Sequence, residues 1–182
     1  VPVIGIPRAM LYYRYGTMWK AFFDALGVSV VLSPPTSKEL LDEGIRLSVD
    51  ETCLSAKVFM GHVNALVGKC EYIFIPRYSS FNHNQVFCTR FEGLYDQTRN
   101  IFRTTPQKFI TCNIDGKNGH TEAEAFLSLG NGLGFSVREC LQAYRKAKKA
   151  EMNEHKTMVR MQEAAGKGSG LKILIAGHPY LL

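Results

Sequence analysis

Two cysteines, Cys53 and Cys88, have the residue type and the position to hold a metal cluster. Cys53 follows Asp50-Glu51-Thr52 and opens a predicted helix, and Cys88 likewise precedes a predicted helix. The partial positive charge and the free N–H groups of a helix N-terminus stabilise a thiolate. The pair therefore indicates a metal-cluster site. The alternative is that each cysteine fills the core, as unpaired cysteines commonly do.

The other three cysteines do not fit such a site as well. Cys70 precedes the third predicted strand at the opposite edge of the sheet, and Cys112 lies in an apolar run, so we expect both to be structural. Cys140 lies at the beginning of the long C-terminal helix, and the sequence assigns it no role. An odd number of irregularly spaced cysteines argues against the disulfide framework of a secreted protein.

Composition indicates an ordinary globular protein. The 182 residues are 46% hydrophobic and 21% charged, which is enough to bury one sizeable core. No apolar run approaches the roughly 20 residues of a membrane span, and the start of the chain does not read as a signal peptide. We therefore expect a soluble, cytoplasmic protein with no membrane partner.

The net charge of +6 comes largely from the predicted C-terminal helix. Its basic residues alternate with Glu151, Glu154 and Glu163, which is typical of a solvated helix face. No nucleic-acid-binding motif accompanies them, so we expect no nucleic-acid partner. The basic residues are Arg145, Lys146, Lys148, Lys149, Lys156, Arg160 and Lys167.

Short apolar runs alternate with helical patterns along the chain. This order predicts an α/β fold: a Rossmann- or flavodoxin-like parallel sheet with helices on both faces and right-handed crossovers, plus a long C-terminal helix. Ser37 and Thr121 are predicted helix caps, and the glycines of 130–134 predict a helix break. Strands are predicted at 3–6, 28–32, 72–75 and 109–112, and helices at 11–26, 38–47 and 53–67.

The pattern also predicts a domain boundary. Residues 1–166 read as one Rossmann-like α/β domain, and 167–182 read as a Gly-rich linker followed by the first strand of a second, truncated α/β domain.

Polar residues follow the carboxyl ends of three predicted strands, where α/β sheets bind ligands. Arg8 and Arg77 are candidates for binding a phosphate or carboxylate, although arginine also closes loops by binding backbone carbonyls. Lys57 lies one helical turn after Cys53, where its charge favours a thiolate or a cluster, although a structural role is an equal alternative.

Three further polar residues have weaker functional interpretations. Ser79 and His83 belong to the same predicted crevice, but the chain has no nucleophile elbow, which argues against a hydrolase. His62 is more readily explained as structural, because Gly61-His62 suits close helix packing.

The ordered set of these motifs resembles a known family. It is similar to the proteins related to the D-component of 2-hydroxyglutaryl-CoA dehydratase, and more closely to their acyl-CoA dehydratase activase-related branch. The resemblance covers nearly the whole chain. Its motifs are Ile4-Gly5-Ile6-Pro7-Arg8, Leu26-Gly27, Asp50-Glu51-Thr52-Cys53 with Lys57 and Gly61-His62, Phe74-Ile75-Pro76-Arg77, and Gly177-His178-Pro179-Tyr180.

The resemblance implies an oxygen-sensitive [4Fe-4S] cluster held by cysteines of two Rossmann-like domains. Cys53 matches the first ligand and Cys88 the second, and the third is expected from the second domain. In the dehydratases an ATP-hydrolysing activase, as a module or a subunit, passes one low-potential electron to this cluster. The electron then reduces a 2-hydroxyacyl-CoA to a ketyl radical, which expels the hydroxyl group.

The same resemblance implies a lyase or reductase component that forms a homo- or heterodimer, with the present chain inactive alone and without a bound cluster. The chain departs from the family at two positions, where Ser55 and Thr89 replace common prolines beside the two cysteines. An alternative is therefore a non-catalytic regulatory or interaction domain that has lost the cluster.

Overall fold

The computed structural model describes residues 2–167, 169–173 and 177. Strands and helices alternate along most of this length. The strands are β1 (Val3–Ile6), β2 (Ser29–Leu32), β3 (Tyr72–Phe74), β4 (Arg77–Asn82), β5 (Gln85–Val86), β6 (Lys108–Ile110) and β7 (Asn113–Asp115). The helices are α1 (Tyr12–Ala25), α2 (Lys38–Arg46), α3 (Leu54–Asn64), α4 (Thr89–Ile101), α5 (Glu122–Gly132) and α6 (Val137–Gly166), with a short 3₁₀ turn at Gly116–Asn118.

The main sheet has four parallel strands in the order β2-β1-β3-β6. Its central strands are short and apolar because both faces are covered, and Ile4, Ile6, Ile73 and Phe74 are completely buried. The chain moves from β1 outward to β2 and then back past β1 to β3. This reversal confirms the predicted α/β fold, and it opens a crevice between the carboxyl ends of β1 and β3.

Helices cover both faces of this sheet, as predicted. Right-handed crossovers place α1 on one face and α2, α3 and α4 on the other. The long helix α6 packs on α1 and α5, and α2 packs on α3. Trp19, Phe22 and Phe23 of α1 are buried and make edge-to-face contacts with neighbouring aromatic rings, so aromatic side chains dominate the core on that face.

A second, smaller sheet extends the first beyond its carboxyl edge. The pairing of β3 with β6 continues through bonds from Ile75 N–H to Ile110 O (2.9 Å) and from Arg77 N–H to Cys112 O (2.8 Å), and then through β4 with β7. β4 turns back into the antiparallel β5. The strand predicted at 109–112 is wrong at its end, because β6 ends at Ile110 and the chain restarts as β7 at Asn113 in the same register.

The long C-terminal helix is confirmed, and a capping box joins Ser136 to Glu139 at its start. The prediction of a solvated acidic face is wrong for Glu151, which is only 8% exposed. This helix crosses α1, so Glu151 lies against Arg14 at 3.3 Å, and Glu154 accepts a hydrogen bond from the Thr17 hydroxyl at 2.6 Å.

The predicted first strand of a second domain, within 167–182, and the motif at 177–180 fall largely on residues 174–176 and 178–182, which lie outside the described residues. That part of the domain boundary stays a prediction. Among the residues that the structure describes, no helix is long and apolar enough to cross a membrane.

Candidate metal-cluster site

Cys53 and Cys88 occupy equivalent positions in two helices. Cys53 is the N-cap of α3 and Cys88 is the N-cap of α4, and both have extended backbone angles (φ −61°, ψ 151° and φ −59°, ψ 137°). Neither side chain makes a capping hydrogen bond, and both residues are exposed. The predicted helix starts are confirmed, and both thiols are accessible.

Topology brings the two helix starts to the same side of the sheet. Helix α3 leads into β3 and α4 leads into β6, and these strands are parallel neighbours. Both helices therefore run antiparallel to the strands, on one face, and begin beyond the carboxyl edge. The Thr98 hydroxyl lies 3.7 Å from Met60 Sδ where the helices meet. At about 1.5 Å per residue, Cys53 lies roughly 10 Å and Cys88 roughly 15 Å along the axes from that contact.

An apolar floor lies between the bases of these helices. It surrounds a cavity of about 10 Å³ that is bordered by the loop after β1, the end of β3 and the facing sides of α3 and α4. A space of this size holds at most one water molecule, and its apolar walls offer that water no hydrogen bonds. The space beneath the two helix starts is therefore apolar and closely packed. Its lining includes Pro7, Met10, Phe59, Phe74, Phe91 and Leu94.

The two cysteines alone are an incomplete ligand set. Within the described part of the chain, no group of three or more His, Cys, Asp or Glu side chains is arranged to hold a metal ion. A [4Fe-4S] cluster is ordinarily held by four thiolates. Two accessible thiols at helix N-termini fit half of that requirement, so a cluster at this place would need further ligands from outside the described residues.

The segment that precedes Cys53 is attached to helix α3 by Lys57. The Lys57 ammonium donates a hydrogen bond to the backbone oxygen of Asp50 at 3.0 Å, which closes the loop over the first helical turn. Thr52 in the same loop is only 4% exposed, and its hydroxyl has no hydrogen-bond partner among the described residues. Lys57 thus has a structural contact, which agrees with a structural interpretation of this residue.

The Arg77 side chain contacts three residues of helix α4. Its guanidinium pairs with the Asp96 carboxylate, donates from Nε to the backbone oxygen of Glu92 at 3.1 Å, and lies 5.4 Å from the centre of the Tyr95 ring. These contacts agree with the alternative interpretation of Arg77, that of an arginine that closes a loop by binding a backbone carbonyl.

Ser79 and His83 lie in different parts of the β4–β5 hairpin: Ser79 in strand β4 and His83 in the turn that follows it. Ser79 is half-buried in β4, and its backbone oxygen accepts from Phe87 N–H at 2.9 Å. His83 is exposed in the turn between β4 and β5. The neighbouring Ser80 is buried and donates to Asp115 at 2.6 Å, joining β4 to β7.

A buried hydrogen-bond network surrounds His62. Ser33 Oγ lies 2.7 Å from His62 Nδ1 and accepts from the Arg8 backbone N–H at 2.8 Å, and Thr36 Oγ1 lies 3.0 Å from Nε2. The arrangement that uses each of these hydrogens has Ser33 donating to Nδ1 and Nε2–H donating to Thr36. Burial and the charge of Arg8 lower the pKa of His62 to about 4, so the ring is neutral. The sequence analysis missed Ser33 and Thr36.

The remaining cysteines have structural environments. Cys112 and Cys140 are buried, and burial raises the pKa of both thiols. Cys70 is half-buried, donates weakly from Sγ to Leu66 O at 3.6 Å, and has a pKa that burial also raises. These surroundings support the structural interpretation of Cys70 and Cys112, and they separate all three cysteines from the accessible pair.

Comparison with known proteins identifies a family for this chain. A family model described as "CoA enzyme activase uncharacterised domain (DUF2229)" matches residues 3–182. No curated protein and no solved structure matches the chain. The activase-related part of the resemblance is confirmed, and its dehydratase part stays a prediction.

Proposed function

The chain belongs to the family of CoA enzyme activase domains, and on that premise we propose that it binds an iron–sulfur cluster in an ATP-coupled, low-potential electron-transfer system. The observation that supports this proposal is the position of Cys53 and Cys88, two accessible thiols at the N-caps of adjacent helices. Helix N-termini favour thiolates and stabilise the negative charge of a cluster.

In this proposal the two cysteines are ligands, and the residues around them provide an apolar floor and a positive charge. A bound [4Fe-4S] cluster would supply one-electron transfer at low potential. Cys53 and Cys88 provide two of its thiolate ligands, and the ligands that are still needed come from outside the described residues. The apolar floor formed by Phe59, Phe91 and their neighbours excludes water below the cluster, and Lys57 adds a positive charge one turn from Cys53.

The proposal extends to partners. The electron donor is an ATP-hydrolysing activase module or subunit, and the acceptor is an acyl-CoA or another small substrate that is reduced or dehydrated. Similarity of the motifs to the dehydratase D-component supports an acyl-CoA, and the family description supports a connection with CoA enzymes.

The test is anaerobic reconstitution of the full-length protein with iron and sulfide. We expect about four iron and four sulfide per chain and a visible charge-transfer band. Cys53→Ser and Cys88→Ser are expected to lose most of the iron and the band. Cys70→Ser is the matched control, because Cys70 lies at the other edge of the sheet, and it should load like the wild type. Absence of iron in the wild type, or equal loading of all variants, would contradict the proposal.

A second candidate is a regulatory or interaction domain without a cluster. It is favoured by the incomplete ligand set within the described residues, together with Ser55 and Thr89 in the first turns of α3 and α4. In that case Cys53→Ser and Cys88→Ser would leave both activity and activase binding unchanged. The same two variants therefore distinguish the candidates.

A further inference from the structure

Two Pro-Arg pairs end adjacent strands of the main sheet. Pro7-Arg8 follows β1, and Pro76-Arg77 follows β3. These strands are parallel neighbours. The order in which the chain adds strands to the sheet reverses between them. Both arginines therefore leave the sheet at the same edge, and they can be compared directly.

The two guanidinium groups have opposite surroundings. Arg77 is neutralised by Asp96 and bonded to the Glu92 carbonyl. Arg8 has no carboxylate within ion-pair distance among the described residues, and its buried Nε has no hydrogen-bond partner there. An arginine with a buried, unsatisfied donor is costly unless an acceptor is supplied.

The groups that face Arg8 do not supply that acceptor. His62 on α3 is neutral, its Nδ1 is bonded to Ser33, and its Nε2 to Thr36. The positive charge of Arg8 also acts on Tyr12 at the start of α1. Burial raises the pKa of the Tyr12 hydroxyl, so this hydroxyl is uncharged. Glu154, the acid that acts on Tyr12, accepts its hydrogen bond from Thr17.

The backbone of this loop is held in a defined conformation. The Arg8 N–H is fixed by Ser33 Oγ at 2.8 Å. Two residues later, Met10 has φ +53°, a left-handed conformation that costs free energy for a residue with a side chain, and Met10 is buried in the apolar floor. Such strain is kept where surrounding packing fixes a loop, and ligand-binding loops are a common setting for it.

We propose that Arg8, and not Arg77, binds an oxyanion of a ligand at the carboxyl ends of β1 and β2, beside Ser33 and His62. Arg8 is partly exposed as a residue, and the planar fork of arginine matches a carboxylate or a phosphate. This proposal deepens the proposed function by assigning an anionic ligand to the edge of the sheet at which the two cysteine-bearing helices begin. It requires no cluster, so it can be tested separately.

The experiment is an NMR titration of the reduced, iron-free protein at constant ionic strength. Sodium acetate, inorganic phosphate and coenzyme A are added separately, and amide shifts near Arg8 and Ser33 are followed together with the His62 ring signals. Saturation by acetate alone identifies a carboxylate site, and saturation by phosphate and coenzyme A identifies a phosphate site. A ligand that neutralises Arg8 should also raise the pKa of His62.

Matched variants separate this site from general attraction to a basic protein. Arg8→Gln is expected to weaken binding by about tenfold to a hundredfold, the range for a lost charged hydrogen bond. Arg8→Lys keeps the charge without the fork, should lose less, and covers the case in which Arg8→Gln fails to fold. Arg77→Gln is the control and should bind like the wild type. Absence of saturation by all three anions, or equal weakening in Arg77→Gln, overturns the proposal.

Because iron loading is not involved, the two proposals fail independently. Anion binding without iron loading would retain the Arg8 site and exclude the cluster. Iron loading without anion binding would retain the cluster and exclude the Arg8 site.

Discussion

Cys53 and Cys88 each occupy the N-cap of a helix, and those two helices begin on the same side of one parallel sheet. Both thiols are exposed, whereas Cys112 and Cys140 are buried and Cys70 is half-buried. The chain thus has two classes of cysteine that differ in access to solvent.

This difference predicts the order of alkylation. A short pulse of iodoacetamide on the reduced native protein should modify Cys53 and Cys88 first, because their sulfurs are accessible. Cys70 should react more slowly, and Cys112 and Cys140 should react only on unfolding, because burial raises their pKa. Peptide mass spectrometry gives the order. Labelling of Cys112 as fast as Cys53 would show that the packing described here is wrong.

A second prediction concerns the close approach of α2 and α3. A Cβ on Gly61 would overlap the backbone oxygen of Leu40, and one on Gly44 would overlap that of Lys57. Gly61→Ala should therefore lower the free energy of unfolding by about 1–3 kcal/mol, through overpacking that backbone atoms cannot relieve. Urea unfolding monitored by circular dichroism measures the change.

Gly93→Ala is the control for this substitution. Gly93 lies inside α4 with open space where its Cβ would be. Alanine there should raise the free energy of unfolding by about 0.5–1 kcal/mol, because glycine loses more backbone entropy in a helix. An equal gain from both variants would mean that helix propensity, and not the contact between α2 and α3, decides the outcome.

The sequence predicts the parts of the fold that depend on local patterns. The apolar run at β1 and the caps at Ser37 and Thr121 are found as expected, since each is encoded by neighbouring residues. The break between α5 and α6 is also confirmed, because glycines end one helix and Ser136 caps the next. The close-packing role predicted for Gly61 is confirmed as well.

Features that depend on distant residues were not predictable in this way. The contacts of Arg77 lie 15 and 19 residues along the chain, and the partners of His62 lie 26 and 29 residues away. The hairpin of β4 and β5 was missed because its buried positions include a polar residue, Ser80, that pairs with Asp115. The turn residues between these strands were the available signal.

A third prediction concerns the start of α6. Ser136 accepts from Glu139 N–H, and Glu139 accepts from Ser136 N–H, so two otherwise unpaired donors are satisfied. Ser136→Ala should lower the free energy of unfolding by about 1 kcal/mol. Thr157→Ala, at an exposed position inside the same helix, is the control and should be neutral or slightly stabilising. A neutral Ser136→Ala would show that tertiary packing alone fixes the helix start.

The pH dependence of stability should carry a contribution from His62. Its pKa of about 4 in the folded protein lies below the ordinary value of 6.5, because burial and the charge of Arg8 disfavour the protonated ring. Between these two values the unfolded chain binds a proton that the folded chain does not. The free energy of unfolding should therefore fall by about 2–3 kcal/mol from this residue as pH drops from 6.5 to 4, and the effect should level off below pH 4.

His62→Gln isolates this contribution, because it removes the titrating ring and leaves the carboxylates unchanged. Urea unfolding of both proteins at a series of pH values between 7 and 4 gives the difference in slope. The wild type should lose more stability than the variant over this range, since only its unfolded state gains the imidazole proton. Parallel curves would mean that the ring titrates normally in the folded protein, and a direct NMR titration of His62 would then place its pKa near 6.5.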